Sequence, residues 1–183
     1  MTHGSSRLVE GNRIVSPALP PVEITVDPVF AYVGGPSFQL YGIAHAEQHL
    51  FVVADEQHTI QRLVWVQFEG YLPDNQRTYR YRVTQTVDLG GVPFIYDIDT
   101  AAVGPEIAER PDSDFAAAMD HLRAHGYGIP EEEVQTQRFV HLIEPDNRHE
   151  LMIIYGERGD VAGSVDLEAA RERALASFSV RFT

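Results

Sequence analysis

The sequence predicts an α+β fold, in which a strongly curved antiparallel β-meander of about eight strands forms a partly closed, barrel-like sheet. Short apolar runs separated by turn residues recur along most of the chain, a pattern typical of hairpin-connected strands. Two longer segments instead repeat apolar residues at helical spacing. Because most successive strands have no helix between them, antiparallel pairing is favoured over a doubly wound parallel sheet.

The chain of 183 residues fits one ordinary domain. Residues 1–21 are rich in Ser, Gly, Asn and Pro and offer little apolar surface to bury, so we expect a flexible N-terminal tail. Residues 22–183 are then expected to form a single α+β domain.

Strand predictions follow from the apolar runs and the turns between them. The predicted strands cover residues 29–33, 38–44, 48–54, 60–71, 77–87, 92–97, 138–143 and 150–155. The strands at 60–71 and 77–87 are about twice the usual length, and long neighbouring strands coil or bend. This length is the reason for expecting a curved sheet.

Two amphipathic helices are predicted to pack on the sheet or to cap it. In residues 113–125, Phe115, Met119 and Leu122 recur at helical spacing, and a glycine follows. Residues 166–179 carry apolar side chains on one face and charged side chains on the other.

Composition excludes several classes of function. The chain has 14 basic and 27 acidic residues, a net charge of −13, so nucleic acid and anionic membranes are not expected partners. It has no Lys and no Cys, which removes Schiff-base and thiolate chemistry. No apolar run approaches the ~20 residues that span a bilayer, so we expect a cytoplasmic protein.

The leading functional hypothesis rests on the turn at residues 72–77. Pairing its flanking strands through a four-residue loop places Glu69 opposite Arg80 and Gln67 opposite Arg82. One polar face then presents Trp65, Gln67, Glu69, Tyr71, Arg80 and Arg82. On the concave side of the sheet this face would bind a small, carboxylate-bearing molecule, with Arg80 or Arg82 holding the carboxylate. On the convex side it would be a solvated face with cross-strand ion pairs.

A second hypothesis is a metal-dependent enzyme. On a strand, His45, Glu47 and His49 share one face, and two imidazoles with one carboxylate suit zinc or non-haem iron. The same segment also suits a hairpin turn, which would scatter the three side chains. The loop that begins at Asp55 decides the side of His49: four residues place it on the apolar side, and five place it beside Trp65.

The late hairpin offers another enzymatic interpretation. His141 and Glu150 are predicted to lie diagonally across it on one face, either as a general acid/base pair or as a satisfied core pair.

The third hypothesis is an interaction domain without chemistry, which would form a homodimer. An edge strand at residues 92–97, or exposed Tyr71 and Trp65, would supply the contact.

Overall fold

The computed structural model describes residues 7–131, 133–159 and 166–183. Its strands are β1 (Leu8–Glu10), β2 (Arg13–Ser16), β3 (Val22–Val26), β4 (Ala31–Gly34), β5 (Ser37–Leu40), β6 (Ala44–Ala54), β7 (Ile60–Tyr71), β8 (Thr86–Leu89), β9 (Val92–Ala102), β10 (Glu133–Ile143), β11 (His149–Arg158) and β12 (Phe178–Phe182). Its helices are α1 (Val103–Glu109), α2 (Asp114–Ala124) and α3 (Leu167–Ala176). These elements confirm the α+β class.

The strands form two antiparallel sheets. The large sheet has the order β4-β6-β7-β11-β10-β9-β8, with β5 also paired to β6. The small sheet has the order β1-β2-β3-β12. No closed barrel forms among the described strands, because the large sheet ends at β4 and β8. The barrel-like detail of the prediction is therefore not confirmed.

The large sheet buries both of its faces. Its inner face packs against the small sheet and α3, with Phe51, Val66, Phe139 and Ile153 fully buried there beside Ile24. Since these side chains alternate along the strands with those of the other face, each central strand is apolar on two sides.

The opposite face, called here the helix face, is covered by α1 and α2. Leu50 and Trp65 of the sheet pack there against Met119 and Leu122 of α2. The Ser113 hydroxyl accepts a hydrogen bond from the backbone N–H of Ala116 at 3.1 Å and so caps α2. The predicted helix at 113–125 is confirmed.

The helix predicted at 166–179 is shorter in the structure. Asp166 caps α3 by accepting hydrogen bonds from Glu168 N and Ala169 N. The helix ends at Ala176, and Phe178 begins β12, because pairing with β3 in the small sheet buries Phe178 in the inner core. None of the helices in the described part of the chain is long and apolar enough to cross a membrane.

The N-terminal segment contributes strands where a tail was expected. β1 and β2 pair with each other, and β2 pairs with β3, within residues 8–26. Ile14 of β2 is fully buried, which anchors the segment to the inner core. A short apolar alternation between turn residues was enough to form these strands.

The strand predicted at residues 77–87 is wrong, and so is the hairpin that would place Arg80 and Arg82 beside Trp65. β7 pairs with β6 on one edge and β11 on the other, so no edge is left for residues 77–87. β11 pairs with β7 because its apolar side chains are buried on both faces of the sheet. In residues 77–87, apolar side chains alternate with charged ones. Residues 72–85 form no strand, and we call this segment the tyrosine strap.

The strand proposed as a dimerising edge has a partner strand along its whole length. β9 extends from Val92 to Ala102 and pairs with β8 on one side and β10 on the other. Gly90 and Gly91, both with positive φ, fold β8 back onto it. Residues 92–95 pair with β8 and residues 95–102 pair with β10, so only Ile95 has partners on both sides, and the edge contact stays a prediction. The alternative contact through an exposed Trp65 is wrong, because Trp65 is 2 % exposed.

Candidate functional site

A cavity of about 320 Å³ lies between the helix face of the large sheet and the two helices that cover it. The apolar side chains that the sheet contributes include Leu63, Trp65, Val134, Met152 and Ile154. The helices contribute Val103, Phe115, Met119 and Leu122. The alternation of side chains along β7 and β11 places these sheet residues on one side, and the i, i+4, i+7 spacing of α2 turns its apolar stripe towards them.

Trp65 is the largest side chain in the cavity wall. It is 2 % exposed, and its ring centroid lies 6.5 Å from that of Phe115. The indole Nε1 is buried without a hydrogen-bond partner among the described residues. Buried indole N–H groups usually have an acceptor, so this donor is an unmet polar group at the cavity wall.

Charged side chains complete the lining. The Arg138 guanidinium donates to both carboxylate oxygens of Asp97, at 3.0 and 2.6 Å, and these hydrogen bonds raise the pKa of Arg138. Arg110 forms an ion pair with Glu106. The described lining contains five carboxylates and three guanidinium groups: Asp97, Asp99, Glu106, Asp114 and Glu157, with Arg110, Arg138 and Arg158.

A buried amide and carboxylate network borders the cavity at Asp114. Gln48 Nε2 donates to Gln67 Oε1 at 2.9 Å and to the Asp114 backbone carbonyl at 2.9 Å. Gln67 Nε2 donates to Glu69 Oε2 at 2.7 Å and to Asp114 Oδ2 at 3.1 Å. The network therefore links the first turn of α2 to two central strands.

Two glutamates lie directly opposite each other at the end of this network. Glu69 of β7 and Glu150 of β11 are register partners on the helix face. Burial, followed by the neighbouring charge of Glu69, raises the pKa of Glu150 to about 8. Burial and the nearby Asp114 raise the pKa of Glu69, against the lowering effect of its hydrogen bonds. Two like charges on register partners disfavour ionisation of both carboxylates at once.

The tyrosine strap crosses over this carboxylate pair. Tyr79 Oη donates to Glu69 Oε1 at 2.7 Å, and Tyr81 Oη donates to Glu150 at 2.9 Å. The Arg138 guanidinium carbon lies 5.3 Å from the centre of the Tyr81 ring. Since Arg138 also lines the cavity, the strap packs against that part of the cavity wall.

Of the residues predicted to bind a ligand, Trp65, Gln67 and Glu69 do share the helix face. Tyr71 stacks on Tyr79, with ring centroids 4.4 Å apart. The remaining two, Arg80 and Arg82, are exposed and do not line the cavity. Sequence reasoning did not single out Tyr79 and Tyr81 as site residues, although both lie within the strand that it predicted at residues 77–87. Their alternation with the two arginines was a usable pattern, because it is typical of an extended segment with one buried side.

The predicted metal residues lie at the inner face. His49 Nε2 and Glu47 Oε1 are 2.9 Å apart, but His45 is exposed and contacts Ser37 Oγ at 3.1 Å. The second Glu47 oxygen accepts from Arg7 at 2.8 Å, so both carboxylate oxygens already have protein partners. The described residues contain no group of three or more His, Cys, Asp or Glu side chains suited to holding a metal ion. The zinc or iron hypothesis thus gains no support.

The position of His49 depends on a bulge. The loop between Ala54 and Ile60 has five residues, which alone would place His49 opposite Trp65. A register shift between Val53 and Ala54 adds one residue, and His49 lies opposite Val66 on the inner face.

His141 and Glu150 do not form a pair. His141 lies opposite Leu151, and Glu150 lies opposite Leu142, so the two side chains occupy opposite faces of the hairpin. The loop between Ile143 and His149 has five residues, and this odd length reverses the predicted relation. His141 packs against the ring of Phe94, and burial lowers its pKa.

Comparison with protein-family models, curated proteins and solved structures found no match.

Proposed function

We propose that this protein binds a small, largely apolar organic molecule in the cavity between the large sheet and α1 and α2. The observation that carries the proposal is the cavity of about 320 Å³ with Trp65 in its wall. Binding sites for small molecules are commonly of this size, mainly apolar, and equipped with a few fixed polar groups.

Packing physics supports a ligand rather than a packing defect. Protein interiors rarely keep voids much larger than a water molecule, because the lining atoms lose dispersion contacts. Here the cavity, which is partly open to solvent, lies on the same strands as an inner face filled by buried side chains. A ligand with apolar groups would restore the missing contacts along Met119, Met152 and Ile154.

The wall is fixed in place before any ligand arrives. Gln48, Gln67 and Asp114 hold the end of α2 against the sheet, and the bidentate Arg138–Asp97 pair joins two strands. A preformed wall lowers the entropic cost of binding.

The carboxylate-bearing ligand expected from the sequence depended on Arg80 and Arg82. Both lie outside the cavity lining, so we retain a small-molecule ligand but no longer assign a carboxylate to it.

The test uses the intrinsic fluorescence of Trp65, which is the only Trp in the chain. Toluene and butylbenzene are titrated into the protein, and emission and thermal midpoint are recorded. We expect saturable changes in emission and a rise in midpoint, since a ligand that binds only the folded state stabilises it.

Two matched variants locate the binding. Val134→Phe fills the cavity wall, and Val180→Phe makes the same change on β12, at a partly buried position packed against the inner core. We expect the first to abolish binding and the second to retain it. Equal binding by both variants, or no saturable response from the unmodified protein, would contradict the proposal.

A further inference from the structure

We propose that the ligand of this cavity carries a positive charge, as an ammonium group on an apolar body. This inference rests on the proposed function and adds the chemical class of the ligand. It follows from which charges around the cavity already have partners and which do not.

Two of the three basic side chains of the described lining already have carboxylate partners. Arg138 is held by both oxygens of Asp97, and Arg110 is held by Glu106. An incoming carboxylate would have to compete with these protein carboxylates. The lining as a whole has two more acidic than basic groups, five against three, so an anion is also repelled by the average field.

Asp114 is the carboxylate best placed to receive a cation. It lines the cavity, and it accepts hydrogen bonds from Phe115 N at 2.9 Å and from Gln67 Nε2 at 3.1 Å. It forms no ion pair within the part of the chain that the structure describes. An ammonium group in the cavity would supply the opposite charge that Asp114 lacks.

The groups next to Asp114 also lack positively charged partners among the described residues. Glu69 and Glu150 contact tyrosine hydroxyls and an amide, and neither has an ion-pair partner among the described residues. Gln48 is 1 % exposed, and its Oε1 has no donor there. The network that borders the cavity at Asp114 thus holds more negative than positive charge.

The apolar wall suits the remainder of such a ligand. Trp65 and Phe115 present aromatic rings to the cavity, and a cation near an aromatic face is attracted by its quadrupole. An aryl-alkyl amine combines an apolar body with an ammonium group in one small molecule.

Binding of a cation should also change the number of protons that the protein holds. The charged and titratable groups that surround Glu150 come from β7, β10, α2 and the tyrosine strap: Glu69, Arg138, Asp114 and Tyr81. Arg138 is the one cation among these four, and it is already bound to Asp97. A bound ammonium would favour the ionised form of the carboxylate pair, so binding releases protons and tightens as the pH rises towards 8.

The test compares three matched probes by isothermal titration calorimetry: phenylbutylamine, phenylbutanol and phenylbutyrate. We expect the amine to bind most tightly and the carboxylate most weakly, with about a tenfold or greater difference between them. Titrations in buffers of different ionisation enthalpy should show proton release with the amine and none with the alcohol.

Two variants test whether Asp114 is the carboxylate that binds the ammonium group. Asp114→Asn should weaken binding of the amine about tenfold more than it weakens binding of the alcohol. Asp120→Asn, on the exposed side of α2, should change neither. If the alcohol binds but the carboxylate matches or exceeds the amine, or if the amine releases no protons, the charge assignment is overturned while the binding cavity stands. If none of the three probes binds, the proposed function itself fails.

Discussion

The inner face and the helix face of the large sheet are built from alternate residues of the same strands, yet they bury different chemistry. The inner face is filled by aromatic and branched side chains such as Phe139 and Ile153. The helix face combines apolar residues with a cavity, an amide network and the pair Glu69 and Glu150. The difference indicates that packing on one face supplies stability, which allows the other to keep empty space.

Truncating neighbouring residues of β11 tests this division with the largest expected effect. Ile153 is fully buried in the inner core, and Ile154 borders the cavity. We expect Ile153→Ala to lower the free energy of unfolding by about 3–4 kcal/mol, and Ile154→Ala by about 1 kcal/mol, because only the first opens a new cavity in a filled core. Urea denaturation of both variants measures the two losses, and equal losses would remove the proposed division.

Much of this architecture could be predicted from local patterns. The strand at residues 60–71 and the helix at 113–125 follow from side-chain periods of two and 3.6 residues, which need no knowledge of the rest of the chain. The same period places Trp65, Gln67 and Glu69 on one face, as the structure confirms.

What sequence reasoning could not supply is which strand lies beside which, and by how many residues a loop or a bulge shifts the register. The turn at residues 72–77 is a correct local prediction, since Asn75 N donates to the Leu72 carbonyl at 2.9 Å. The choice of β11 over residues 77–87 as the partner of β7 depends on burial of both faces, which is a property of the whole sheet. His49 changed faces through a single bulge.

A pair of glutamates on β11 tests the electrostatics of the helix face. Glu150 is held by a neutral tyrosine hydroxyl, and its pKa is raised to about 8 by burial and by Glu69. The folded protein therefore binds a proton more tightly than the unfolded chain, and the energetic cost of ionising Glu150 grows between pH 4.5 and about 8. We expect Glu150→Gln to leave stability unchanged near pH 4.5 and to increase it by on the order of 2–3 kcal/mol at about pH 9.

Glu157 is the matched control because its pKa shifts in the opposite direction. Burial acts to raise its pKa, but hydrogen bonds from Arg173 and Tyr155 lower it overall. Its contribution is present above the unfolded pKa and is lost as pH falls through the folded pKa. We expect Glu157→Gln to destabilise by about 0.5–1 kcal/mol at neutral pH, because Arg173 is half exposed. Unfolding curves across pH with the same sign for both variants would contradict the assigned environments.

The smallest expected effect comes from adding one methyl group to each face. A Cβ at Gly156, in the cavity wall, would meet Val134 Cγ1 at 3.6 Å and Leu63 Cβ at 3.8 Å, which are ordinary contacts. A Cβ at Gly70, on the opposite face, would overlap the imidazole ring of His149.

We expect Gly156→Ala to stabilise by about 0.5 kcal/mol, since alanine loses less entropy than glycine on folding and gains contacts in the void. Gly70→Ala should destabilise by about 1 kcal/mol, because the ring must move. Denaturant midpoints of both variants provide the measurement, and a loss at Gly156 as large as that at Gly70 would mean that the cavity wall has no room for added atoms.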